Sequence, residues 1–262
     1  MEKYEQQYHA VMHTSKELDP NVLTQKKAEI DIFFQNIGIQ TEELQRTFRE
    51  NRISLYTADV RGIVGSNMVN FVGTDSSVIV FDRDFYNDPK NQAVVDVQAT
   101  HELLHSVSRR WKDGSWFVMG HSEPGHLGVY EATDQMFAEM IKNHQLSPEE
   151  DYLYFVKSAM KIVRSVVHVS RVARQFLNQD RSLEWEIQRL TGNSSWFQTF
   201  VGAMQNSYDC SKAIKYQGLN KKIELDSVNK TIIDQLRYFI DAKATNDPSF
   251  RKEQIVLPQP SF

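Results

Sequence analysis

The stretch from Pro89 to Arg110 constrains this chain more than any other. No Gly or Pro interrupts it after Pro89, and Val94, Val97, Leu104 and Val107 recur at three- and seven-residue spacing, one and two helical turns. That periodicity predicts a helix buried along one side. Asn87-Asp88-Pro89 supplies its start, with Asp88 as N-cap and Pro89 at the first helical position.

Inside this segment stands His101-Glu102-Leu103-Leu104-His105, the pattern H-E-x-x-H. Positions i and i+4 of a helix lie one turn apart on the same face. Two imidazoles placed there can reach a single Zn²⁺, and the intervening Glu102 is close enough to act on a water at the metal. With 8 His in 262 residues, the bare pattern would arise by chance in roughly one or two chains in a hundred of this composition, so its surroundings decide. Here it is wrapped in Val, Ala and Leu, and a polar triad in an apolar helix needs partners; a metal is a good one.

A catalytic zinc usually has three protein ligands and a fourth position for water. Metzincin spacing would need a His six residues beyond His105, but Trp111 stands there, which excludes that class. Glu131 is the next candidate. It lies at the start of a second gap-free apolar segment, Tyr130 to Ile141, after a Gly-rich stretch (112–128) that would let the second helix fold back beside the first. His121, Glu123 and His126 within that stretch, and Glu139 further on, also carry donor atoms, so spacing leaves the third ligand open.

These residues resemble the gluzincin group of zinc metallopeptidases, most closely compact bacterial members written H-E-L-x-H-(A/S), a Gly-containing loop, then G-x-x-E-(A/G) leading into T-(D/E). The matching residues are His101 to Ser106 and Gly128-Val129-Tyr130-Glu131-Ala132-Thr133-Asp134, and the likeness covers residues 95–141. It implies His101 and His105 as ligands, Glu102 as general base, Glu131 as third ligand, and a single Zn²⁺ per chain. It also implies a zincin-like core. One departure is visible: the acid usually found four residues after the ligand Glu, where it orients a ligating His, is Gln135 here, with Asp134 one residue early.

In such an enzyme zinc lowers the pKa of its water and polarises the scissile carbonyl, while Glu102 takes the water proton and passes it to the leaving amine. The oxyanion needs a further donor. Tyr152, Tyr154, His168, Arg171, Tyr208, Tyr216, Arg237 and Tyr238 are available, and His168, in what reads as a long apolar helix, is the first to test. Its competing reading is a core histidine satisfied by hydrogen bonds.

The whole chain reads as α+β and mainly helical. Residues 1–50 form a helix-prone N-terminal segment in which Asp19-Pro20 starts a helix with an Ile30, Phe33, Phe34, Ile37 stripe that ends at Gly38. Residues 51–145 form the zincin-like catalytic core. There Ile53–Tyr56, Met68–Val72 and Val78–Phe81 are β-favouring runs expected to make a small sheet beside the active-site helix. Either the last run or the one before it would be an edge able to pair with an extended substrate. Residues 146–244 form a helical lobe, with one helix from Glu149 to Asn178 and others at Leu183–Leu190, Trp196–Asn206 and Ser227–Ala244. The Pro-containing tail, 245–262, is expected to be extended, and the lobes to form one compact domain.

The net charge of −4 gives no electrostatic case for a nucleic-acid partner, and no apolar run approaches membrane-spanning length. The single cysteine, Cys210, forms no internal disulfide, and the N-terminus lacks an apolar signal region. These features suit a cytoplasmic enzyme, or one exported without a hydrophobic signal, acting on a peptide or protein. Two other readings compete. One is a repressor-cleaving metallopeptidase, echoed by Phe137-Ala138 although Asp134 and Gln135 replace the Asn and Ala carried before that pair. The other is a helical scaffold whose H-E-x-x-H is accidental or holds a structural metal, which a chain with one Cys is poorly equipped to close.

Overall fold

The computed structural model describes residues 2–72, 76–107, 109–112, 115–118, 127–147, 152–178 and 181–259. The chain is mainly helical with a small mixed sheet, and it divides into two compact units. Residues 1–118 and 138–144 form unit 1; residues 119–137 and 145–262 form unit 2. Residues 1–50 lie in the sheet-bearing unit 1. No helix among the described residues is long and apolar enough to cross a membrane.

Unit 1 begins with α1 (Glu2–His13), β1 (Lys16–Glu17), α2 (Pro20–Asn36), α3 (Glu42–Glu50) and β2 (Arg52–Ala58). It continues through α4 (Val60–Val64), β3 (Met68–Val72), β4 (Ser76–Asp82), α5 (Arg83–Asn87) and α6 (Gln92–Val107). Short acidic side chains start several of these helices by accepting from orphan backbone N–H groups. Asp19 accepts from Asn21, Asp59 from Gly62 and Asp82 from Phe85. Asp88 accepts from Lys90 in a single 3₁₀ turn, Pro89–Asn91, that leads into α6. The expected cap is present, and α6 proper starts three residues after Pro89.

The sheet runs in the order β1-β2-β4-β3. β2 and β4 are parallel, with α4 and β3 lying between them in the chain; the two outer pairings are antiparallel. Because side chains alternate along a strand, the sheet has two distinct faces. Tyr56 and Ala58 of β2, Val69 and Phe71 of β3, and Val78 and Val80 of β4 pack with Tyr8, Val11 and Met12 of α1 and with Val60, Ile63 and Val64 of α4. The opposite set includes Leu55, Ser77, Ile79 and Phe81, all buried, and Asn70. Of the two runs expected to offer an edge, β4 is paired on both sides, and β3 is the edge among the described residues.

Two local expectations are corrected. The active-site helix stops at Val107, and Arg109–Lys112 (β5) pairs antiparallel with Ser115–Val118 (β6), Trp111 opposite Trp116. What read as helix end and Gly-rich loop is a hairpin. Aromatic-rich flanks around Asp113-Gly114 were its signal in the sequence.

Unit 2 contains the first turns of α7 (Leu127–Lys142), then α8 (Tyr154–Val166), α9 (Val169–Asn178), α10 (Ser182–Thr191), α11 (Trp196–Gln217) and α12 (Lys222–Asn246). Trp196 and Phe200 stack at 4.9 Å and Phe239 closes on Trp196 at 5.0 Å, giving this unit an aromatic centre. The helix expected from Glu149 to Asn178 is two helices, broken at Val167, whose backbone is extended (φ −115°, ψ 153°). α11 runs eleven residues beyond the expected Asn206, to a stop at Gly218 with φ +62°, where only glycine is unstrained. After Asn246 the described part of the tail, to residue 259, holds one 3₁₀ turn, Lys252–Gln254, and is otherwise irregular.

Candidate metal centre

α6 is held from several directions. On the sheet side, Ser106 donates to Ser77 on β4 at 3.3 Å, and both residues are fully buried. One turn before the motif, Asp96 receives the Lys26 ammonium of α2 at 2.6 Å, and Lys142 of α7 approaches its other oxygen at 3.8 Å while bonding Glu29 at 2.7 Å. Lys142 lies in the part of α7 that belongs to unit 1. Val95, Val97, Ala99, Leu103, Leu104 and Val107 complete the burial of the helix.

The motif then projects from the last two turns of α6. The His101 and His105 rings are 4.5 Å apart and nearly perpendicular (89°). One nitrogen of each, together with a Glu102 carboxylate oxygen, lie within 4.8 Å of one another. His101 is buried, whereas Glu102 and His105 are half-buried, so the cluster has an open side. Its donor set is nitrogen and oxygen, gathered closely enough to hold a metal ion, and it sits near a helix C-terminus, whose partial negative charge favours a cation. Two imidazoles and a carboxylate on adjacent turns therefore fit a divalent ion.

Asn70 is a neighbour of the cluster that sequence reasoning missed. Its side-chain amide donates to Glu102 Oε2 at 2.7 Å from the edge strand β3. The register explains how it gets there: Asn70 pairs with Ile79, on the sheet face that also carries Ser77 and so faces α6. A slip of one residue would replace Asn70 by Phe71. The available signal was its polarity within Met68-Val69-Asn70-Phe71-Val72, at a position whose strand alternation points toward the helix.

The other expected residues are distributed as follows. Glu131 lies on α7 within unit 2 and is half-buried; Asp134 and Gln135, the candidates to orient a ligand, are buried on the same helix. Glu139 is buried on the unit 1 portion of α7. His121, Glu123 and His126 lie outside the described residues. His168 is neither mid-helix nor in the core. It is exposed at the break before α9, where its Nδ1 accepts from the Ser170 backbone N–H at 3.2 Å and lies 2.7 Å from Ser170 Oγ. That is a helix-capping arrangement, unrecognisable in advance because His is an unusual cap. Nothing in its surroundings assigns it an oxyanion.

Residues 32–149 match the family described as Mbeg1-like. The matched span contains the sheet strands β2, β3 and β4, the H-E-x-x-H helix and all of α7, and stops before α8. No curated protein matches the chain, and neither does any solved structure.

Proposed function

We propose that this chain is a zinc-dependent metallopeptidase that hydrolyses a peptide bond in a peptide or protein substrate. The observation that carries the reading is the convergence of His101, His105 and Glu102 within 4.8 Å, on a helix buried against a sheet whose edge strand holds the Glu102 carboxylate. His101 and His105 would hold the metal. Glu131 enters as third ligand on the G-x-x-E sequence pattern alone. When bound, zinc supplies Lewis acidity, polarising a carbonyl and making water acidic enough to lose a proton near neutral pH.

The remaining steps belong to the chain's own residues. Asn70 commits Oε2 of Glu102 to the strand, which fixes the carboxylate's rotamer and leaves the other oxygen to take a proton from the attacking water. The same carboxyl returns that proton to the leaving amine. Among the described residues β3 has one strand neighbour, β4, so its outer side offers backbone groups for an extended segment of substrate.

Removing the metal with a chelator should abolish cleavage of a peptide library, and stoichiometric zinc should restore it. Cleavage that persists in the chelated chain would overturn the reading. Asn70→Ala and Asn70→Asp should keep zinc and lower kcat by about 10- to 100-fold with little change in KM, the scale of one hydrogen bond to a charged group. A raised KM at unchanged kcat would make Asn70 a substrate contact instead.

A further inference from the structure

Within unit 2, the tail and α8 enclose a cleft. Beyond α12 the tail is anchored: Lys252 donates to Asp241 of α12 at 2.8 Å, and Lys243 lies 5.9 Å from the centre of the Phe250 ring. The 3₁₀ turn then gives way to an extended Ile255 (φ −88°, ψ 113°), and residues 254–259 form one wall of the cleft. Its volume is about 830 Å³, on the scale of cavities that hold small organic ligands.

The α8 wall is a single stripe of helix. Tyr154, Ser158, Lys161, Ile162 and Ser165 recur at the three- and four-residue spacing that keeps side chains on one face. The two hydroxyls donate back to their own helix, Ser158 to the Tyr154 carbonyl and Ser165 to the Lys161 carbonyl, so their protons are committed. The facing wall carries Ile255-Val256-Leu257-Pro258, and Val256 is 86% exposed. A run of apolar side chains left in water beside a cleft is a surface that an apolar ligand would cover.

The charge of the cleft is one-sided. Lys161 and Arg164 line it, and among the described residues no Asp or Glu does. Arg164 Nε is buried and meets no hydrogen-bond partner among the described residues. A guanidinium N–H held away from water without an acceptor is costly, and an anion in the cleft would satisfy it. The walls therefore suit a ligand with an apolar body and one anionic head.

We propose that this cleft binds a fatty carboxylate, with its acyl chain between the α8 stripe and Ile255–Pro258 and its carboxylate at Arg164. The site uses no residue of the metal cluster and lies outside the matched span 32–149. Its test is therefore independent of the metallopeptidase reading.

Calorimetric titration of the full chain with octanoate, decanoate and dodecanoate, each below its micellar concentration, provides that test. One carboxylate per chain is expected, and affinity should rise by up to about four-fold for each added CH₂. Decanol keeps the chain and lacks the charge, so it should bind at least about 10-fold more weakly than decanoate. Arg164→Met keeps the aliphatic stem and removes the guanidinium. It should weaken decanoate by about 10- to 100-fold and leave decanol unchanged, a difference that general damage to the fold would not produce. Val256→Asp, at an exposed position, sets a carboxylate against the acyl chain. It should weaken both ligands by about 10-fold or more, and it carries the test if Arg164→Met does not fold. No binding to the wild-type chain, equal affinity for decanol and decanoate, or unchanged decanoate affinity in both variants overturns the proposal.

Discussion

Glu102→Gln is expected to reduce peptide hydrolysis by about 10²- to 10⁴-fold while leaving the zinc in place. The substitution is nearly isosteric, so the buried surroundings of α6 and the imidazole pair are undisturbed. An amide cannot take up the water proton, so the base is lost and the metal site is not. The Asn70 amide donates to Glu102 Oε2 at 2.7 Å, and a glutamine presenting its own carbonyl can keep that bond, which separates loss of the base from loss of its position. Single-turnover and steady-state assays beside metal analysis would show the pattern. A variant with wild-type kcat would remove Glu102 from the chemistry, and one that lost its zinc would show that the carboxylate is part of the metal's support.

The second large effect concerns stability. Asp96→Ala strands the Lys26 ammonium, whose side chain is 8% exposed and whose partner oxygen lies at 2.6 Å. Leaving a buried charge without its counterion costs on the order of 3 kcal/mol or more, so a drop of roughly 10 °C in Tm is expected. Lys26→Met removes the buried charge instead. The Asp96 side chain is 46% exposed and can return to water, so this change should cost less than about 1 kcal/mol. Adding Lys26→Met to Asp96→Ala should recover most of the loss. Thermal and urea unfolding of the three variants would check the ordering, and equal losses from the two single changes would show that the pair is not what holds α6.

What could be read in advance follows a physical division. The H-E-x-x-H helix and its Asp88 cap were legible because cap chemistry and apolar periodicity are local. The runs that became β2, β3 and β4 were legible for the same reason. The Asn70 contact depends on strand register across 32 residues of chain, and the Lys26–Asp96 pair joins positions 70 apart; neither leaves a local trace. The break at Val167 carries no Gly or Pro, and its cap is a histidine, so a continuous helix was the natural reading. The β5–β6 hairpin had a signal in Asp113-Gly114 that the surrounding glycines concealed. For Glu131 the sequence pattern says more than its surroundings do, whereas for Gly128 the reverse holds: a Cβ there would stand 2.7 Å from the Met204 carbonyl oxygen of α11, which explains a residue that the motif merely contained.

The most direct measurement is zinc K-edge X-ray absorption on the purified, zinc-loaded chain, paired with metal content. The account expects close to one zinc per chain, two imidazole nitrogens at about 2.0–2.1 Å with oxygen completing the shell, and loss of that imidazole signature in His101→Ala. A chain that retains no zinc, or zinc bound without histidine, would contradict it.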